Sequence, residues 1–448
     1  MTFDYDLFVI GAGPGGLAAA KKAASYGVRV AVAEQEAIGG TCVNRGCVPK
    51  KLIVYAADFA LQNQIAHSYG WSDCQTYFDW TLFIKSVHQH IDKINQSYFQ
   101  QLHKAGIELI SEHATFIDTH TININGRKIT ADKILIAVGG QPLKPQIPGI
   151  EYAITSREMF QLPYLPKRLA VIGGGYIGIE FSSMMHAFGC EVTVIEKDEM
   201  ILSGFDNDIR SAVQQGLSKR GIKLFTNSTV QEIKFSEEGL LLTIAAENRE
   251  IITADTILVA TGYAPNTKNL GLENAHVELG EDGAIKVDEY SRTSQENIFA
   301  VGDCTSRLQL SPVAKAEGIA FADTVFGNKP QKLNYDYVPT AVFCRPEAAS
   351  VGMTEAKARE KFGESVQCDS TEFQPLLYQL IEQNEPTTMK LVLNGDSGQV
   401  LGAHMVGEHA ADIIQSLGVA IRKGITKEDL DETIVIHPTT GEEFLSLN

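Results

Sequence analysis

The sequence predicts an α/β protein with two copies of a strand, glycine turn, helix and strand unit, and a mixed α+β region closing the chain. Three observations carry this. Apolar runs at Asp6–Ile10 and Leu169–Ile172 break at Gly11-Ala-Gly-Pro-Gly-Gly16 and Gly173-Gly-Gly-Tyr-Ile-Gly178. Each turn leads into helical sequence and then a second apolar strand ending in an acid, Glu34 and Glu196. From about Leu333 the composition changes to short mixed strands and helices.

At 448 residues the chain is too long for one core and implies two to four domains. Hydrophobic residues make up 44% and charged residues 21%, the balance of an ordinary globular protein. The net charge of −17 argues against nucleic acid or an anionic membrane as partner, so an anionic substrate needs a local basic patch. The N-terminus carries acids instead of a basic leader region, and no apolar run is long enough to cross a bilayer. The cytoplasm is therefore the expected compartment. Seven scattered cysteines do not form a secreted disulfide framework. Cys74, Cys190, Cys304, Cys344 and Cys368 read as free buried thiols.

In chain order, Leu17–Ser25 is helical and Val28–Glu34 is a strand. Gly11, Gly13 and Gly16 have the G-x-G-x-x-G spacing: a tight turn, backbone approach to a pyrophosphate, and close helix–strand packing. Alone, such glycines equally describe an ordinary turn. With both strands, the helix and Glu34 in place, the unit reads as dinucleotide-binding, the acid holding ribose hydroxyls. Next comes Gly40-Thr-Cys42-Val-Asn-Arg-Gly-Cys47-Val-Pro-Lys50-Lys51. Its two cysteines can close a small disulfide ring if the turn between them brings the Cβ atoms close. In a chain without other secretory features, such a pair beside lysines is catalytic rather than structural.

Asp79–Ala105 reads as a helix with Asp79 as N-cap and Phe83, Val87, Ile91, Ile94 and Tyr98 on one apolar face. Tyr98 suits the core or the lining of a cleft. Ile107–Ile110 and Thr121–Asn125 suggest antiparallel strands, and Ala131–Gly140 a strand ending in a glycine pair. The proline-bearing connection Gln141–Gly149 marks a domain boundary.

The whole unit recurs from Arg168, with helix Ile179–Phe188 and strand Val192–Ile195, which implies a second dinucleotide. A carboxylate at Glu196 accepts from ribose hydroxyls and repels a 2′-phosphate. Lys197 is the only basic candidate there, opposed by Asp198 and Glu199, so NADH is favoured over NADPH. Ile257–Asn266 repeats the strand-to-glycine exit, at Gly262. Ile298–Asp303 is a strand ending in Gly-Asp, whose acid faces either a cofactor or merely a turn. Thr340–Phe343, Met389–Leu393 and Val400–Val406 read as strands and Ala410–Arg422 as a helix. His437-Pro-Thr-Thr-Gly-Glu442-Glu443 follows, where a histidine and a carboxylate flank a turn and form the best acid/base candidate.

These motifs, with Ala260-Thr-Gly-Tyr-Ala-Pro-Asn266 and Val301-Gly-Asp303, resemble the FAD-dependent pyridine nucleotide-disulfide oxidoreductases over essentially the whole chain. The form Gly46-Cys-Val-Pro-Lys-Lys51 is similar to that of their glutathione reductase branch, of the cyanobacterial and plant kind. The resemblance implies an FAD domain at 1–145 and 265–332, a nucleotide domain at 146–264, and a homodimer interface domain at 333–448. It assigns Gly11, Gly13, Gly16, Glu34, Gly40, Thr41, Lys51, Gly140 and Asp303 to FAD. Gly173, Gly175, Tyr176, Gly178, Glu196, Lys197 and Gly262 go to NADH or NADPH. Cys47 becomes the thiolate beside the flavin and Cys42 the thiol that attacks the substrate disulfide. His437, oriented by Glu442, protonates the departing thiol of the other subunit's site, and Lys50 pairs with Glu180 beside the flavin. Lys21, Tyr98 and Glu443 face the substrate, and no metal is implied.

Two departures from the branch stand out. Alanine and arginines for NADPH are replaced by Gly178, Glu196 and Ser203, which agrees with the NADH reading. Two substrate-side arginines are replaced by Lys21 and Ile319, so a modified glutathione or another low-molecular-weight disulfide is an alternative to glutathione disulfide. Dihydrolipoamide dehydrogenase is the enzymatic runner-up, and a nucleotide-binding flavoprotein scaffold the non-enzymatic one.

Overall fold

The computed structural model describes residues 2–447 apart from 73–76, 246–248 and 382–384. Two compact units divide the chain. The first comprises Met1–Leu52, Thr81–Leu143 and Gly262–Asn334, and the second Ile53–Trp80, Lys144–Thr261 and Tyr335–Asn448.

The first unit is built on a sheet whose strands are apolar on both faces, the pattern of a parallel sheet covered on each side. Its order is Glu108–Ile110, Val30–Ala33, Tyr5–Ile10 and Arg127–Ile136, with Ile298–Ala300 also paired to the last. These neighbours run parallel, with Val9 opposite Val32 and Leu135. Phe8, Ile134 and Ile136 fill one face. Leu7, Val9, Leu135 and Phe321 fill the other. The helices Pro14–Ala24 and Ser311–Val325 pack on each other in this unit.

Two expected strands differ: Ile107–Ile110, expected antiparallel, forms as Glu108–Ile110 and runs parallel to Val30–Ala33, and Ala131–Gly140 is not a strand of its own. Arg127–Ile136 is one strand. Its first half pairs antiparallel with Thr121–Ile124, which pairs in turn with Ala114–Phe116, and its second half joins the parallel sheet. It stops at Ile136, and Gly140–Pro142 instead forms a short antiparallel ribbon with Tyr263–Pro265. The helix at residue 80 runs Trp80–Lys104, with Ile84, Val87, Ile91 and Leu102 buried. Of the expected apolar face, Val87 and Ile91 are thus buried, and Phe83, Ile94 and Tyr98 are half-buried, so the stripe holds and is widened by Ile84.

In the second unit a parallel sheet is ordered Lys223–Phe225, Glu191–Ile195, Arg168–Ile172, Thr256–Val259 and Ile154–Thr155. The antiparallel meander Thr229–Ser236, Gly239–Ala245 and Arg249–Ala254 shares a core with it through Ile172, Ile195, Ile233, Leu242 and Ile257. The C-terminal part is a five-stranded antiparallel sheet backed by the helix Ala410–Arg422. Buried Lys390 in that sheet bonds Asp206, Asp208 and Glu355 at 3.0, 2.7 and 2.6 Å. Two dinucleotide folds and an α+β C-terminal domain are thus present. Among the described residues no helix is long and apolar enough to cross a membrane.

Candidate active site

The cysteine pair sits across a break between two helices, where the sequence suggested a simple turn. Gly40–Arg45 is one helix and Cys47–Ile65 the next. The break falls at Gly46, whose extended φ of −153° ends the first helix. A Cβ there would come 2.9 Å from the Thr41 carbonyl oxygen. Lys50 N donates back to Gly46 O at 2.9 Å, so the second helix starts cleanly at Cys47. Gly40 seats the short helix on the first glycine turn: a Cβ there would stand 2.7 Å from Gly13 Cα. Asn44 Nδ2 ties its other side to Ile38 O and Gly40 O at 3.0 and 2.9 Å.

Position separates the two thiols. Both are free, Cys42 half-buried and Cys47 exposed. Cys47 opens a helix, where unpaired backbone N–H groups favour an anion. Its Sγ lies 3.4 Å from Ser311 Oγ. A hydrogen bond from Cys42 lowers the Cys47 pKa from 9.0 to about 6, aided by Ser311 and Lys50 against partial desolvation. The same bond, and then desolvation, holds Cys42 well above its ordinary value. A single proton shared by the pair therefore stays on Cys42.

The first glycine turn adjoins this pair. A Cβ on Gly16 would overlap the Gly11 carbonyl oxygen, so the helix start packs directly on the strand end. Glu34 closes the turn, accepting from Ala12 N at 2.8 Å and Glu36 N at 2.9 Å. Across the unit, Asp303 lies beside Gly140, whose Cβ would be 3.5 Å from that of Asp303. Desolvation, and secondarily the charge of Glu317, pushes the Asp303 pKa up to about 6. No described residue hydrogen-bonds its carboxyl group. Buried Glu317 braces the same turn, accepting from Gly302 N at 2.7 Å. A phosphate-accepting turn, a ribose-type acid and a desolvated carboxyl lacking a partner fit a long hydroxyl-bearing dinucleotide such as FAD.

The second turn reproduces the first. A Cβ on Gly178 would overlap the Gly173 carbonyl oxygen, and Glu196 accepts from Gly174 N and Asp198 N at 2.5 and 2.9 Å. Gly175 caps the helix Tyr176–Ala187, and Tyr176 is 51% exposed. Lys197 lies 4.0 Å from Asp198. Arg210, a base the sequence reading passed over, spends its guanidinium on Ile201 O and Met200 O, both at 2.8 Å, and on Asn207. Gly262 falls in the first unit, where its carbonyl accepts from Leu143 N at 2.9 Å.

His437 Nδ1 lies 3.1 Å from Glu442 Oε2, and Thr439 N donates to the other carboxylate oxygen at 2.9 Å. That backbone bond, then His437, keeps the Glu442 pKa low. The His437 side chain is 79% exposed. Half-buried Glu443 follows in the same Thr440–Phe444 turn. Lys50 and Lys51 stand in the first turns of the Cys47–Ile65 helix, and exposed Thr41 precedes Cys42. Glu180 is buried in the second unit, where it accepts from Phe343 N at 2.8 Å. Lys21 Nζ donates to Gln101 at 3.0 Å and sits 5.4 Å from the Tyr98 ring. Cys190, Cys304 and Cys344 are buried as expected; Cys368 is only half-buried, and Cys74 lies outside the described residues. Ser311, Lys315 and Glu317 carry no recognisable motif, because a helix distant in sequence delivers them.

A redox-type thiol pair on one of two dinucleotide turns defines a class, and comparison agrees. Residues 5–318 match the family described as pyridine nucleotide-disulphide oxidoreductase, and residues 338–447 match its dimerisation domain. The chain belongs to this family. It is 49% identical to the glutathione reductase of Nostoc sp. over the full length of both chains. It is 42% identical to that of Burkholderia cepacia, covering 99% of this chain and 98% of the relative. With the chloroplastic/mitochondrial glutathione reductase of Pisum sativum the identity is 40%, over 99% and 82%.

Proposed function

We propose that this protein is an FAD-dependent reductase of a low-molecular-weight disulfide, glutathione disulfide or a close variant, working as a homodimer with NADH as the favoured reductant. The observation that carries it is the unlike pair of thiols: a thiolate-prone Cys47 at a helix start and a protonated Cys42. FAD, when bound, supplies two-electron transfer between a nicotinamide and the dithiol. Gly11, Gly13, Gly16, Glu34, Gly140 and Asp303 are the groups to hold it, with Gly40, Thr41 and Lys51 alongside. Lys50 is assigned to the same neighbourhood.

Cys42 needs a base before it can attack, and the imidazole of His437, oriented by Glu442, is the base we assign, reaching in from the other protomer. The Cys42 thiolate attacks one sulfur of the substrate, the S–S bond breaks, and the first thiol leaves with the proton held on His437. The Cys47 thiolate then attacks the Cys42 sulfur of the mixed disulfide. The second thiolate departs, and the Cys42–Cys47 disulfide forms. Two electrons from the nicotinamide restore the dithiol. Lys21, Tyr98 and Glu443 are the proposed substrate contacts.

NADH is favoured because Glu196 presents carboxylate where a 2′-phosphate would sit, Lys197 is offset by Asp198, and Arg210 is committed to carbonyl groups. Steady-state kinetics with both nucleotides against glutathione disulfide and oxidised lipoamide test the reading. A higher kcat/KM with NADH and with glutathione disulfide is expected. Faster reduction of lipoamide would transfer the chain to the dihydrolipoamide dehydrogenase reading. His437→Ala should slow the disulfide half-reaction by about 10²–10⁴-fold while nucleotide still reduces the flavin.

A further inference from the structure

On the helix Ser311–Val325, the residues Ser311, Lys315 and Ile319 recur at one-turn spacing and share a face. Ser311 touches the sulfur of Cys47 at 3.4 Å, so this stripe leads away from the redox pair. The helix lies in backbone contact with Pro14–Ala24, because a Cβ on Gly318 would overlap the Gly15 carbonyl oxygen and reach Ala19 N at 3.1 Å. Lys21 stands in the last turn of that second helix, over Tyr98. Desolvation lowers the Lys21 pKa, and the nearby charge of Lys315 lowers it further. Neither lysine forms an ion pair with a carboxylate among the described residues, whereas neighbouring Lys22 pairs with Asp323 at 3.1 Å. Two like charges left without counter-ions, in a chain of net charge −17, mark a place for an anion.

We propose that Lys315 and Lys21 together grip a carboxylate of the substrate, Lys315 supplying, one helical turn nearer Cys47, the charge that Ile319 lacks. This rests on the disulfide-reductase reading above. Two ammonium groups on separate stems act as point charges and demand less of a carboxylate's orientation than one bidentate guanidinium. The site thus selects for negative charge near the attacked sulfur more than for a single outline.

The test uses the FAD-loaded full chain, glutathione disulfide, and the neutral bis(2-hydroxyethyl) disulfide. Lys315→Met keeps most of the stem and removes the charge. Its KM for glutathione disulfide should rise about tenfold or more, and its kcat/KM relative to the neutral disulfide should fall by about the same factor. Lys315→Arg should hold the wild-type ratio, and Ile319→Arg added to Lys315→Met should recover most of it. A ratio that shifts less than about twofold in both Lys315→Met and Lys315→Glu overturns the proposal, as does equal loss with both disulfides. Wild-type enzyme that ignores glutathione disulfide yet reduces lipoamide overturns the reductase reading itself, and the carboxylate grip with it.

Discussion

The two glycine turns share one backbone plan and differ in what covers them. At both, the third glycine backs onto the carbonyl of the first, and a glutamate about 20 residues on ties the turn to the next strand. Over the first turn, however, the Gly40–Arg45 helix presses on Gly13, and a Cβ on Gly15 would come 3.0 Å from the Ala314 carbonyl oxygen of another helix. Over the second, Tyr176 is 51% exposed, while a Cβ on Gly175, like one on the matching Gly13, would meet nothing within 4 Å. The same ligand-binding device is walled in once and left open once. A walled slot suits a resident cofactor; an open one suits a coenzyme that must leave each cycle.

The largest expected effect breaks this comparison most directly. Gly16→Ala should yield protein that has lost its flavin colour or does not fold, since neither strand nor helix can yield. Gly178→Ala, with the same local overlap, should keep the flavin, measured by absorbance, and raise the KM for NADH by about tenfold. If the two variants lose flavin alike, the contrast between slots fails. Next in size, Glu196→Arg should move the NADH to NADPH ratio of kcat/KM by about 10²-fold toward NADPH, while Glu34→Arg acts on flavin retention alone. A ratio that stays put would show that the carboxylate does not select the nucleotide.

The smallest effect is a titration. Because Cys47 is lowered to about 6, its thiolate dominates above that pH and is lost below it. The long-wavelength thiolate–flavin absorbance of the two-electron-reduced enzyme should therefore fade as pH drops through about 6. It should survive in Cys42→Ser, whose hydroxyl still donates, shift to a higher midpoint in Cys42→Ala, since the Cys42 bond is the largest lowering effect, and vanish in Cys47→Ser.

Both glycine turns, their acids, the cysteine pair and the helix Ala410–Arg422 were legible because each is written in consecutive residues with a period or a fixed spacing. The break at Gly46 was not, since it depends on a clash with Thr41 that only the folded turn creates. Arg127–Ile136 was divided at its polar half, which belongs to a second, antiparallel pairing on the same strand. Ser311, Lys315 and Glu317 were invisible for a different reason. They reach the cysteine pair, Lys21 and the Gly302 turn only because Gly15 and Gly318 let two helices distant in sequence meet at their backbones.

That last helix has an evolutionary consequence. Within the 15 residues of Ser311–Val325 lie a contact to the Cys47 sulfur, a brace for the Gly302 turn and the lysine proposed to hold the substrate. Exchanged between relatives, this segment would carry substrate preference with it, while single changes inside it would be filtered by three constraints at once.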